Sequence, residues 1–185
     1  MNERYRPALG LAAMVLAGTS FSHDGADEAD GALQADGFMV EMAAVFEAFV
    51  TTALGQRLVE SGGSYHTQYP DTLDEAGAVR IEADLVWARH GVPAAVIDAK
   101  YKAEKPSGFP NADVYQMLAY CTALGLPVAH LVYAKGNEHG VTHTLRNVDI
   151  TIHAHTLDLA VAPSALLAQT NDLADSIAQF AGVAR

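Results

Sequence analysis

Hydrophobic residues recur at helical spacing through one long stretch of the N-terminal half, GFMVEMAAVFEAFVTTALGQRLVE. The apolar side chains that carry this spacing are Phe38, Met42, Val45, Phe46, Phe49 and Ala53. Residues that return every three or four positions share one face of a helix. The pattern therefore predicts a long, well-buried helix from about residue 38 to residue 60.

Two short apolar runs, IEADLVWA and AAVIDAKY, lie between residues 81 and 101. The segment RHGVP separates them, and its glycine and proline favour a turn. Because both faces of these runs are apolar, we predict a hairpin in the interior of a sheet that is covered on both sides. A turn centred on Gly91 would place Asp84 opposite Asp98, since each lies seven residues from it.

The rest of the chain alternates between helical and strand-like patterns. SGGSYHTQYP reads as a loop or the start of a first strand, and KAEKPSGFPN reads as a loop. Asn111 can cap a helix that stops at Gly125. PVAHLVYA predicts a buried strand, GVTHTLRN and VDITIHAHTL predict two exposed strands, and a last helix runs from Pro163 to about Gly182. This order predicts a single α/β domain with a mixed central sheet flanked by helices.

The N-terminal segment allows two interpretations. Residues 1–22 carry two arginines, an apolar run and small residues, as a secretory signal does. Glu3 and the proline at position 7 favour instead an amphipathic helix that begins near Pro7. Residues 22–36 are acidic and predict an exposed loop, so we divide the chain into an N-terminal helix and loop (1–36) and a globular domain (37–185). With no later apolar stretch long enough for a bilayer, we expect a cytoplasmic protein without a membrane span.

Composition narrows the class of protein. A length of 185 residues suits one domain with a real core, and half of the residues are hydrophobic. The net charge of −11 argues against a protein whose overall electrostatic potential attracts the DNA phosphate backbone. Cys121 is the single cysteine, so no intramolecular disulfide can form.

The predicted hairpin carries the residues with the clearest chemistry. Asp98 and Lys100 must point to the same face of their strand, because side chains alternate. Two carboxylates across adjacent strands repel, and a fold keeps them when a positive charge lies between them. Lys100 supplies one such charge and Mg²⁺, which prefers carboxylate oxygens, could supply the rest. The residues alone leave open a simple salt bridge at a strand end.

Two helices contribute further polar side chains. Glu47 lies at the edge of the apolar stripe of the long helix. Its carboxylate is either a solvated group at that edge or a group close to a bound metal. Gln116 and Tyr120 lie one turn apart and share a helix face. Polar groups on an apolar helix usually have a specific partner.

The order of these residues resembles a known enzyme class. A helical Glu, an Asp, an Asp-x-Lys and a Gln-x-x-x-Tyr follow one another as in the PD-(D/E)xK nuclease superfamily. The segments YRPAL, GFMVEMAAVFEAFV, ADLVW, VIDAKYK, DVYQMLAYCTALGLP and LVYAKG further resemble McrC, the cleavage subunit of the McrBC 5-methylcytosine restriction system. The resemblance runs from about Tyr5 to Tyr133, and Ala83 replaces the proline of the motif.

The resemblance implies a restriction-endonuclease-like core and a magnesium-dependent DNA endonuclease. It implies that Asp84, Asp98 and the main-chain carbonyl of Ala99 bind Mg²⁺, for which Mn²⁺ can substitute. It also implies that Glu47 acts through a water molecule or a second ion, and that Lys100 orients the attacking water.

The resemblance further implies that Gln116 orients the active-site strand or touches DNA, with Tyr120 packed behind it. The expected partners are double-stranded DNA, bound weakly by this chain alone, and an McrB-like GTPase. GTP would enter only through that partner. Because Met1 falls almost at the start of the nuclease part, the region that docks on McrB is not evident, and partner docking stays open.

Two other functions remain open from the sequence. The histidines His139, His143, His153 and His155 allow a zinc site, because His153 and His155 share a strand face. A catalytically inactive nuclease-like scaffold that binds a GTPase partner or DNA is the second alternative.

Overall fold

The computed structural model describes residues 41–103, 111–135 and 140–183. These residues form three helices, α1 (Met42–Glu60), α2 (Asn111–Leu124) and α3 (Pro163–Val183). They also form six strands, β1 (Ser64–Thr72), β2 (Arg80–Arg89), β3 (Val92–Ala103), β4 (Val128–Lys135), β5 (Val141–Thr144) and β6 (Thr151–Thr156). The predicted N-terminal helix and acidic loop lie outside the described residues.

The six strands form one mixed sheet in the order β1-β2-β3-β4-β6-β5. Neighbours β1, β2 and β3 run antiparallel, β3, β4 and β6 run parallel, and β5 is antiparallel to β6. The predicted α/β class is confirmed: the described chain is a mixed sheet flanked by helices, compatible with a restriction-endonuclease-like fold. The apolar strands β2, β3 and β4 occupy the interior of the sheet, as their two-faced hydrophobicity predicts.

Helices cover both faces of this sheet. Helices α1 and α3 share one buried cluster that includes Phe46, Val50, Leu85 and Ile97. Helix α2 packs against the other face, where Met117 is fully buried. The expectation that no later stretch is long and apolar enough for a bilayer is wrong for α1, which passes that test by length and composition. Its buried stripe packs in the protein core, as in the core helix of a globular domain.

The hairpin between β2 and β3 has a two-residue turn at His90 and Gly91, both with positive φ (53° and 78°). Two successive left-handed residues match the twist of the flanking strands. The predicted register about Gly91 is confirmed, because Leu85 pairs with Ile97. Near the turn Arg89 pairs with Val92, which is one position away from the predicted register. A register shift next to Trp87 restores the predicted register farther along the strands.

The predicted solvent exposure of one strand is wrong. Strand β6 was expected to be exposed, but it lies between β4 and β5, and its residues Ile152 and Ala154 are buried. Its threonines and histidines look like surface residues in the sequence, whereas the crossover from β4 to β6 brings that strand into the sheet interior. The segment read as a loop or the start of a strand is the full strand β1.

Candidate active site

The site lies where β2 and β3 separate. The last pair of their ladder is Leu85 with Ile97; beyond it, β3 pairs only with β4 and β2 only with β1 among the described residues. In the resulting fork the backbone N–H of Ala99 donates to Oδ2 of Asp84 at 2.8 Å. The carboxylate of Asp84 thus takes the place of a main-chain carbonyl as the acceptor for Ala99, and this hydrogen bond holds the carboxylate in the fork.

Asp98 is the most unusual residue of the fork. Its side chain is fully buried, and Nζ of Lys100 is 2.5 Å from its Oδ2. Among the described residues, this short ion pair is the polar contact of the carboxylate, and its Oδ1 has no hydrogen-bond partner. Burial and the nearby charge of Asp84 raise the pKa of Asp98 to about 7, and Lys100 opposes this shift. A carboxylate that is buried in this way destabilises the fold unless a cation compensates it.

The two other predicted acids lie within electrostatic reach. Burial raises the pKa of Asp84, while the Ala99 hydrogen bond and Lys100 oppose the shift. Partial burial and the charge of Asp84 likewise raise the pKa of Glu47, although Glu47 comes from α1. The structure therefore brings Glu47, Asp84, Asp98 and Lys100 into one electrostatically coupled group.

Gln116 and Tyr120 connect α2 to the strand that carries Asp84. Nε2 of Gln116 donates to the hydroxyl of Tyr120 at 2.6 Å, and that hydroxyl donates to the main-chain oxygen of Glu82 at 2.5 Å. Burial raises the pKa of Tyr120 to about 12, which keeps the phenol protonated as a donor. This connection fixes β2 two residues before Asp84.

Sequence reasoning missed one residue of the site. Nε2 of Gln68 donates to Oε1 of Glu47 at 2.5 Å. Gln68 stands in the SGGSYHTQYP segment, which has no apolar alternation, so no signal placed it in a strand beside the acids.

The charge balance of the fork suits a divalent cation. Glu82 acts electrostatically on Glu47 and Asp84, and Asp84 and Asp113 act on Asp98, so several carboxylates raise one another's pKa, and among the described residues the ammonium of Lys100 opposes them. The described residues hold no group of three or more His, Cys, Asp or Glu side chains placed around one metal position. Mg²⁺ commonly uses only one or two carboxylates and keeps several waters, so the donors Asp84 and Asp98 fit that ion.

A second titratable cluster lies on the α3 side of β4 and β6. Nδ1 of His130 is 3.1 Å from Nε2 of His155, and the rings of His130 and His153 stack with centroids 5.5 Å apart. Phe180 covers His153 at 4.3 Å between ring centroids. These side chains do not form a group that could hold a metal, so the described residues give the zinc alternative no support. Of the other candidate ligands, His143 lies in β5 and His139 outside the described residues.

The histidine cluster predicts acid sensitivity. Burial and His153 lower the pKa of His155 to about 4, so the unfolded chain binds more protons than the folded chain between pH 6.5 and 4. Stability therefore falls as the pH drops through this window. Relative to His155→Leu, the wild-type free energy of unfolding should fall by about 2 kcal/mol between pH 6.5 and pH 5, measured by urea denaturation. A difference between the two proteins that does not change with pH would contradict the prediction.

The sequence also matches a known family. A family model described as McrBC 5-methylcytosine restriction system component matches residues 1–134, which include α1, the fork and most of β4. No curated protein matches the chain.

Proposed function

Because the chain belongs to the McrBC family of 5-methylcytosine restriction system components, we propose that it is the DNA-cleaving module of such a system. Membership makes it a restriction-system component that acts together with other McrBC components. The finer proposal is a magnesium-dependent endonuclease of the PD-(D/E)xK type, which acts on double-stranded DNA in the cytoplasm beside an McrB-like GTPase.

One observation carries this proposal. Asp98 is fully buried, its Oδ1 has no hydrogen-bond partner among the described residues, and its Oδ2 meets the ammonium of Lys100 in a fork shared with Asp84. A purely structural salt bridge would be expected to satisfy its buried oxygens. Such a costly arrangement is typical of a site where stability is given up for function.

Each residue of the fork has a role in this proposal. Asp84, Asp98 and the carbonyl of Ala99 would hold Mg²⁺, with Glu47 acting through water or a second ion. When bound, the ion would neutralise charge on the scissile phosphate and acidify a water molecule. The ammonium of Lys100, fixed by Asp98, would orient that water and stabilise negative charge at the phosphate. Tyr120 and Gln116 hold β2, so that Asp84 keeps its position.

The direct test is hydrolysis of duplex DNA by the purified chain at high protein concentration. We expect cleavage with Mg²⁺ or Mn²⁺, no cleavage with EDTA, and products with 5′-phosphate ends. A folded protein that binds metal but leaves DNA intact would favour the inactive scaffold instead.

The net charge of −11 predicts weak, non-specific DNA binding by the chain alone. Phosphate contacts supply most of the non-specific affinity, and eleven lysines and arginines stand against 22 acidic residues. We expect a dissociation constant on the order of 10⁻⁴ M at physiological salt, together with slow cleavage that has no sequence preference. Fluorescence anisotropy with labelled duplexes of different sequence measures this affinity.

Fusion to a DNA-bound partner should raise the rate of DNA cleavage by increasing the effective concentration of the chain at the DNA. Tight, sequence-specific binding by the lone chain would contradict this division of labour.

A further inference from the structure

Strand β1 contains a local distortion beside the fork. Thr67 pairs with Leu85 and Tyr69 pairs with Ala83, so the register is the same on both sides of Gln68. Gln68 itself has no partner in this ladder, although it falls opposite Asp84. The reason is its backbone, which has a φ of 49°. The left-handed region is unfavourable for a residue with a side chain of this length, and glycine or asparagine adopts it more readily.

This distortion directs the side chain of Gln68 to α1. Its Nε2 donates to Oε1 of Glu47 at 2.5 Å, between residues 21 positions apart in the chain. Gln68 is exposed to water and Glu47 is only partly buried, so the bond itself adds little stability. The strained backbone is thus not explained by the stability of this contact, and strain of this kind is concentrated at functional sites.

Glu47 couples Gln68 to the fork. Asp84 and Lys100 both act electrostatically on the carboxyl of Glu47, which therefore lies close to the fork although it belongs to a different element. A glutamate on a helix has three side-chain torsions and needs a partner to hold one orientation. Among the described residues, the hydrogen-bond partner of this carboxylate is Gln68.

We propose that Gln68 is a positioning residue of the active site, whose amide holds the Glu47 carboxylate toward the fork. This inference rests on the proposed nuclease function for its catalytic consequence. The left-handed backbone of Gln68 interrupts the β1–β2 ladder opposite Asp84 and brings the amide to α1. Gln68 touches neither the DNA nor the ion in this role and acts through Glu47.

Two substitutions of Gln68 separate positioning from structure. Gln68→Asn keeps an amide and tolerates the left-handed backbone, but is one methylene shorter and cannot reach Glu47. We expect its kcat for Mg²⁺-dependent cleavage to fall about tenfold, with KM for DNA and the thermal midpoint unchanged. Gln68→Gly removes the strain, and should raise the thermal midpoint while lowering kcat by a similar factor. A structural residue would instead lose thermal stability in both variants.

A double-mutant cycle tests the route through Glu47. In a Glu47→Ala background, Gln68→Asn should cause no further loss of kcat, because the partner is already absent. The matched control Gln56→Asn changes an exposed glutamine on the same helix as Glu47, and should leave kcat unchanged. An unchanged kcat in Gln68→Asn, or the same tenfold loss with and without Glu47, would overturn the inference.

A measurement without DNA or metal distinguishes this inference from the proposed function. The side-chain NH₂ signals of Gln68 in an ¹⁵N correlation spectrum should shift in Glu47→Ala, while those of Gln56 should not. If the wild type fails to cleave DNA but these signals shift, the nuclease proposal fails and the placement of Glu47 by Gln68 stands. If the wild type cleaves and the signals do not move, the inference fails and the nuclease proposal stands.

Discussion

Replacing Asp98 with asparagine is expected to abolish metal-dependent cleavage while stabilising the metal-free protein at neutral and alkaline pH. The activity should fall on the order of 10³-fold, since the substitution removes a proposed ion ligand and the carboxylate next to Lys100. Stability should rise because the wild-type fold buries a carboxylate whose Oδ1 has no hydrogen-bond partner among the described residues and whose charge is compensated only in part by Lys100. A neutral amide of the same shape avoids the cost of burying that charge.

The pH dependence of this stabilisation follows from the raised pKa of about 7 for Asp98, against an ordinary value of 3.8. Between these values the folded chain holds more protons than the unfolded chain, so the wild type loses stability as the pH rises. The advantage of Asp98→Asn should therefore grow by about 2 kcal/mol between pH 5.5 and pH 8, and level off above pH 7. Urea denaturation in EDTA measures it. The control Asp172→Asn removes an exposed carboxylate and should change stability by less than about 0.5 kcal/mol. An Asp98→Asn protein that is less stable than wild type at pH 8 would contradict this view of the fork.

Replacing Lys100 with methionine should have the opposite effect on stability and a similar effect on activity. The ammonium of Lys100 is the cation next to Asp98, and its side chain is only 20% exposed. Its removal leaves a buried carboxylate uncompensated, which should destabilise the metal-free protein by about 3 kcal/mol at pH 8. Cleavage should fall on the order of 10³-fold, because in the proposed mechanism the ammonium of Lys100 orients the attacking water.

The double variant Asp98→Asn with Lys100→Met separates these two effects. Without the carboxylate, the loss of Lys100 no longer leaves a buried charge, so most of the lost stability should return, while cleavage stays absent. The coupling energy from the four proteins should be about 2 kcal/mol at pH 8. A single Lys100→Met variant as stable as the wild type, or purely additive stabilities, would show that the short contact in the fork carries no energy.

The sequence predicted the parts of this fold that depend on local pattern. The apolar spacing that includes Phe46 and Phe49 identified α1, but Met42 and Val45 of the predicted stripe are exposed, and Val50, Leu54 and Leu58 are buried instead. The runs on either side of Gly91 identified the central hairpin with its register. The register of this hairpin is strongly specified, because a shift by one residue would move Asp98 to the other face of the sheet. Local pattern does not indicate a role for Glu47, Gln116 or Tyr120. The family resemblance predicted that these residues belong to the site.

The parts that the sequence did not predict depend on long-range placement. Strand β6 looks polar, and only its insertion between β4 and β5 buries Ile152. His130 lies in an apolar strand with no nearby histidine in sequence, yet the parallel pairing of β4 with β6 stacks it against His153. Gln68 depends on a backbone distortion within one strand, and neither propensity nor spacing encodes such a distortion.

Titration of Mn²⁺ into metal-free protein by calorimetry, without DNA, tests most directly whether Asp84 and Asp98 form one metal site. The wild type and the Asp172→Asn control should show the same binding event. Asp84→Asn and Asp98→Asn should each weaken it by at least about tenfold, because each removes one of the two proposed carboxylate ligands. Equal Mn²⁺ affinity in all four proteins would contradict a metal centre in the fork between β2 and β3.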